Sequence, residues 1–247
     1  MLLVLPPSET KRDGGRDGSA LDLAALSFPA LTPLRRDALA ALSRVSRTVS
    51  GASQALGLGP TQRFEIERNR LLRSSPVMPA IERYTGVLYD GLDVDSLSAA
   101  AREFAHDHVA VHSALFGVVG AGDLIPAYRL SHDSRLPGMP LKKHWRSAVS
   151  AELAAHDGLV LDLRSEAYAA LGPAPDGAHY IRVVTESASG RRVALSHFNK
   201  KAKGEFARAI VAAGVEHPDA SSLLDWAETA GIRLEPGAPG ELDLIVG

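Results

Sequence analysis

The chain has 247 residues, 45% of them hydrophobic and 23% charged, and its 27 Lys plus Arg against 29 Asp plus Glu leave a formal charge of −2. This is an ordinary globular composition, and the overall balance supplies no attraction for nucleic acid, so any such contact must sit on a local basic patch. The absence of cysteine excludes disulfides, thiolate nucleophiles, zinc–cysteine sites and iron–sulfur clusters, and it fits a reducing cytoplasm.

Met1 to Leu5 are apolar and lead into PPSETKR, a run too short for a signal peptide or a membrane span, so a buried first strand is expected. Residues 6–20 are rich in proline, glycine and charge and read as an exposed loop at a strand end. From Thr32, a threonine cap, Pro33 in the first turn and apolar residues every three or four predict a helix or helix pair, broken near Ser50 and Gly51 and stopped by Gly57. A short helix is expected from Arg63 to Leu72. From Asp95 to Leu115 the spacing of Leu97, Ala101, Phe104, Ala105, Val109, Val111 and Leu115 predicts one further helix.

Next in the chain is FGVVGAGDLIPAYRL, with glycines at 117, 120 and 122. A dinucleotide loop requires a strand before it and a helix after it, whereas a helix is expected before these glycines and Pro126 would interrupt a helix after them. A hairpin around Gly120 to Gly122 is the better expectation, with PAYRL as a short extended segment. A helix over 141–156 comes next, then a strand in GLVLDLRS that is apolar enough to be buried on both faces. Ser165 to Leu171 resembles a short helix capped by Ser165. AHYIRVVTES and GRRVALSHF flank a turn at Ser189 and Gly190 and predict a β-hairpin. Two helices stopped by Gly214 and Gly231 and two short final strands complete a single α+β domain over 1–247, in which the first and last strands share one sheet.

The densest basic cluster is Lys200, Lys201, Lys203 and Arg208, at the start of a predicted helix where cations oppose the dipole unless an anion is bound. Solvated lysines that bind nothing are the competing reading. Lys142, Lys143 and Arg146 surround Trp145, a combination that suits stacking and phosphate contact on a nucleic-acid surface, with a core place for Trp145 as the favoured reading. His106 and His108 stand two apart on a helix and face different directions, so no metal set or cofactor emerges. Ser8 with Glu9, and Ser165, come directly after predicted strands, at the ends where α/β proteins place active groups.

LLVLPPSETK, YTGVLYDGLD, HSALFGVVGAGDLIPAYRL, Trp145, LDLRSEAY and FNKKAKGEFAR together resemble, in order, the YaaA family of bacterial peroxide-stress-resistance proteins. The resemblance implies a cytoplasmic protein with a compact mixed α/β fold of its own type, a basic cleft and a helix-hairpin-helix-like element linked to DNA binding. It also implies a role in limiting intracellular iron and oxidative DNA damage. The chain departs from the family pattern at Gly120 and Ala121, where an arginine–proline pair is common, and at Glu9, where lysine is common.

Two functions are expected from these residues. In the first, Gly120, Gly122, Arg129, Lys200, Lys201, Lys203 and Arg208 bind DNA phosphates without reading sequence. In the second, Ser8, Glu9, Tyr89, Arg129, Ser165 and Lys200 line one cleft for a small phosphorylated or nucleobase-containing substrate. No membrane partner is expected.

Overall fold

A computed structural model describes residues 1–186, 192–194 and 199–247. The expected turn at Ser189 and Gly190, and His197, lie outside the described residues. Strand β1 (Leu2–Leu5) is buried along its whole length, as its unbroken apolar run requires, and it occupies the middle of the main sheet. It pairs in parallel with β3 (Val109–Ser113) on one side and β6 (Val160–Asp162) on the other. Beyond β3 lies antiparallel β4 (Gly117–Gly120). Beyond β6 the sheet continues through β7 (His179–Glu186) and β10 (Glu241–Ile245), both parallel, to antiparallel β9 (Leu234–Pro236).

Short β6 pairs only with His179 and Tyr180 of β7, and antiparallel β8 (Arg192–Ala194) takes Val184 to Glu186 further along. The first and last strands do share the sheet, separated by β6 and β7. A separate ribbon pairs β2 (Met78–Pro79) with β5 (Leu124–Ile125).

The expected single compact mixed α/β domain is observed, with helices interleaved among the strands and a mostly parallel sheet, an arrangement closer to α/β than to α+β. The helix pair is α1 (Thr32–Val45) and α2 (Val49–Leu56), with the break at Ser46 to Thr48 because the Thr48 side chain caps α2 at Gly51 N. Thr32 itself lies inside α1, not at its cap. Then come α3 (Phe64–Arg70), α4 (Ala80–Arg83), α5 (Val87–Leu92) and α6 (Ala99–His108). The C-terminal half holds α7 (Leu141–Ala154), α8 (Glu166–Ala169), α9 (Asn199–Ala213) and α10 (Ala220–Thr229). None of the described helices is long and apolar enough to cross a membrane.

The single helix expected over 95–115 ends at His108, and Val109 to Ser113 form β3 instead. All five residues of β3 are buried between β1 and β4, and that two-sided pairing overrides a spacing that also suited a helix. A strand therefore does precede the glycine stretch. Gly117 and Gly120 are the two ends of β4, and no helix comes after them before α7 at Leu141. Neither a dinucleotide loop nor a helix-hairpin-helix-like element stands at these glycines. PAYRL forms no strand; the paired segment is β5, just before it.

Helices α5 and α9 pack backbone to backbone. A Cβ added at Gly204 would lie 2.0 Å from the Leu88 carbonyl oxygen, and one at Gly91 would lie 2.8 Å from that of Lys201. Only glycine permits this approach at either position.

Candidate functional site

Loops at the carboxyl ends of β1 and β6 form the floor of a cleft of about 550 Å³, and the starts of α5 and α9 form its walls. The chain leaves β1 toward β3 on one side and later returns to β6 on the other, so the cleft opens where the winding reverses, the usual ligand position in α/β sheets. Ser8 and Glu9 come from the β1 end, Ser165 and Tyr168 from the β6 end, Tyr89 from α5, and Lys200 with Lys203 from α9. Ser131 and His132 close the remaining side.

The β1 loop is held from beneath. Lys11 is 6% exposed and donates from Nζ to the carbonyls of Ser8 (2.9 Å) and Glu9 (3.2 Å). Its ammonium also lies 4.2 Å above the Tyr128 ring. Burial lowers the Lys11 pKa to about 7, partly offset by Glu65. The Tyr84 and Tyr128 hydroxyls meet at 2.8 Å, and Tyr128 in turn meets Ser113 Oγ. Tyr89 donates to the Pro6 carbonyl, fixing α5 to the same loop. At Gly86 the backbone has φ +98°, and an added Cβ would press on Ser8 Oγ at 3.3 Å, so this position favours glycine on two grounds.

Under the β6 end, Arg164 is fully buried. It holds Asp162 through Nε and Nη2 (2.8 and 2.6 Å) and donates from Nη1 to His112 Nδ1 and the Gly172 carbonyl. Because Nδ1 accepts from a guanidinium, the His112 ring is neutral with its proton on Nε2. Burial, with Arg164 adding to it, drives the His112 pKa well below the usual histidine range. Ser165 caps α8 by accepting from Tyr168 N, so its hydroxyl has a structural task while it faces the cleft. The His132 ring stands edge-on to Tyr168, with centroids 5.2 Å apart, and gives the cleft an aromatic side.

The two cleft lysines differ sharply. Lys200 is exposed at the rim. Lys203, one turn further along α9, is 3% exposed and donates to the Arg164 carbonyl (3.0 Å) and the Tyr180 hydroxyl (3.3 Å). No carboxylate among the described residues lies within ion-pairing distance of it. Burial lowers its pKa to about 8, with Asp162 and Glu166 opposing from further away.

The remaining predicted residues lie elsewhere. Arg129 is ion-paired with Glu9 at 2.8 Å and reaches the cleft only through it. Lys201 faces solvent and pairs with Glu205 at 3.4 Å. Arg208 closes the end of α5 by donating to the carbonyls of Leu92 and Asp93. Gly120 sits opposite Ala110, back toward the amino ends of the parallel strands, while the cleft lies beyond their carboxyl ends. Its N–H is already donated to Asp123 Oδ2, and Gly122 packs against the His106 ring. The hairpin glycines and the α9 lysines therefore form no common face. Trp145 is a core residue, fully buried and bonded to the Ala114 carbonyl.

Comparison with known proteins agrees with the ordered motifs. The family model described as "Peroxide stress protein YaaA" matches residues 1–234. The chain belongs to the YaaA family. Among relatives, a UPF0246 protein of Corynebacterium efficiens is 44% identical over the full length of both chains. One of Streptomyces coelicolor is 40% identical over 100% of this chain and 98% of its own. A more distant one, of Caulobacter vibrioides, is 28% identical over 99% and 98%.

Lys11, Tyr168, His132 and Asn199 belong to or support the cleft but were absent from the residues expected there. Lys11, Tyr168 and Asn199 do stand in LLVLPPSETK, LDLRSEAY and FNKKAKGEFAR or directly beside them, the segments that carried the family resemblance, whereas His132 stands in none of them.

Proposed function

We propose that this YaaA-family chain serves peroxide stress by binding a phosphate-bearing ligand in the cleft between α5 and α9, as a cytoplasmic protein. The observation that carries the reading is Lys203, an ammonium buried in the wall without a carboxylate partner among the described residues. A buried cation without a counterion is costly, and an arriving anion offsets that cost. Lys200 adds charge at the rim, and both stand near the start of α9, where backbone N–H groups and the helix dipole favour an anion. The aromatic pair His132 and Tyr168 suits a nucleobase or sugar on the opposite side.

Duplex DNA is the second reading, favoured by the exposure of Lys200 and Lys201 on the same helix turn. Contacts of that kind would position the duplex without reading its sequence, and any link to iron would come from protecting it. Titration with pyrophosphate and with short duplex DNA across a salt series separates the two. Pyrophosphate is expected to bind, and Lys200→Ala to weaken it by about tenfold, the worth of one charge-assisted hydrogen bond. DNA binding with a steep salt dependence and no pyrophosphate competition supports the second reading. Absence of binding to either sinks both.

A further inference from the structure

We propose that Lys203 is an imine-forming amine and that the cleft takes a phosphorylated aldehyde or ketone. The inference rests on the phosphate reading above and divides the work of its two lysines: Lys200 meets the phosphate at the rim, and Lys203, mostly an ammonium at neutral pH, reacts through its neutral fraction and keeps the buried positive charge as a protonated imine. Lys200 and Lys203 are three residues apart on α9 and share one helix face, yet one is exposed at the rim and the other is sealed at the base of the wall. A solvated ammonium at the rim suits a phosphate. A desolvated lysine is the form proteins use for Schiff-base chemistry, because burial favours the neutral amine whose lone pair attacks. With a pKa lowered by burial to about 8, a useful fraction of Lys203 is neutral near pH 7, unlike a lysine at its ordinary value.

Two further features fit. Lys203 Nζ is fixed by the Arg164 carbonyl at 3.0 Å, and Arg164 is itself fixed by Asp162, so the amine has a set position. The Tyr180 hydroxyl stands 3.3 Å from Nζ, and burial, with Asp162 and Glu166 adding to it, raises the Tyr180 pKa to about 12, which keeps it a proton donor. In the step itself the Nζ lone pair forms a bond to the carbonyl carbon and the carbonyl oxygen gains a proton. The resulting carbinolamine loses that oxygen as water, with Tyr180 placed to pass a proton to it. One neutral amine, one carbonyl compound and one proton give one protonated imine and one water, with no change in oxidation state. Hydrolysis of the imine, which takes up one water and returns the proton, releases the carbonyl compound and restores the amine.

The test is reductive trapping on the full chain. The protein is incubated with glycolaldehyde phosphate or with glycolaldehyde in the presence of cyanoborohydride, and the products are read by intact mass and peptide mapping. The phosphorylated aldehyde is expected to label Lys203 ahead of Lys142, Lys143 and Lys201, and Lys203→Arg to abolish that label. Tyr180→Phe, which keeps the ring, is expected to slow labelling several-fold even if the Lys203 variant folds poorly. Lys200→Ala is expected to slow only the phosphorylated aldehyde, by about tenfold. Label spread over surface lysines with Lys203 unmodified overturns the inference, even where pyrophosphate still binds. Equal labelling of Lys203 by both aldehydes keeps the amine and overturns the phosphate reading.

Discussion

The two ends of the sheet bury cations of different chemistry. At the hairpin end, Arg35 is fully buried but held by the carbonyls of Phe116, Ser27 and Val118, with Asp123 close by. Burial lowers its pKa to about 10, a fall as large as that of Lys203, but from the higher ordinary value of arginine, so it stays charged at neutral pH. At the cleft end, Lys11 and Lys203 are buried with carbonyl and hydroxyl partners alone, and their pKa values fall to about 7 and 8. At both ends the buried cation meets neutral partners, with carboxylates only further off; what differs is that the arginine keeps its charge at neutral pH whereas the two lysines can lose theirs. A buried cation able to lose its proton near neutral pH marks a site better than glycine spacing does.

Four experiments bear on that contrast. The largest effect is expected from Arg164→Met, which leaves Asp162 buried without its partner and should cost about 4 kcal/mol of unfolding free energy in urea titrations. Gly204→Ala drives a methyl into the Leu88 carbonyl and should cost about 3 kcal/mol and disrupt the cleft as well; a variant of native stability would show that the α5–α9 contact is looser than described. Asp123→Ala orphans Ser27 N, Ser27 Oγ and Gly120 N and should cost about 2 kcal/mol. Pyrophosphate affinity should not change in this variant, and a loss would join the two ends functionally.

The smallest effect is a pH slope. The folded pKa of Lys11 lies below its unfolded value, so above pH 7 the unfolded chain binds more protons and stability rises with pH. The slope is at most about 1.4 kcal/mol per pH unit, Lys203 adds to it above about pH 8, and buried tyrosines oppose it only near their unfolded values around pH 10. Denaturant titrations between pH 7 and 9 should show the rise in the wild type and a flatter profile in Lys11→Met. An unchanged slope in the variant would mean that Lys11 is not the group responsible.

Much of this was legible in the chain. β1 and β6 were visible as short, nearly pure apolar runs, and the position of Ser8 and Ser165 after them pointed to the end of the sheet where the cleft lies. Helices α9 and α10 were readable from apolar spacing and from Gly214 and Gly231, both of which adopt positive φ. β3 was not, because Val109 and Val111 fit a period of two as well as the helix that precedes them, and only the neighbours β1 and β4 decide between them. The burial of Lys11 and Lys203 was also invisible, since lysine is normally a surface residue and the groups that desolvate these two come from distant segments. Tyr128 covers Lys11, and Arg164 and Tyr180 enclose Lys203. Gly120 and Gly122 misled for the converse reason: a glycine pattern does not reveal that the amide it offers is already taken by Asp123.

The contact of Gly91 and Gly204 sets the gauge of the cleft. Where two walls meet through side chains, rotamer changes let them part or close by an ångström or more. Here main chain rests on main chain, which leaves the Tyr89 and Lys203 walls no side-chain rotamers by which to part or close. Adjustment to a guest is left to the facing side, where Ser131 and His132 sit on a connecting loop. For the ligand proposed above, the glycines would limit size and that loop would follow shape.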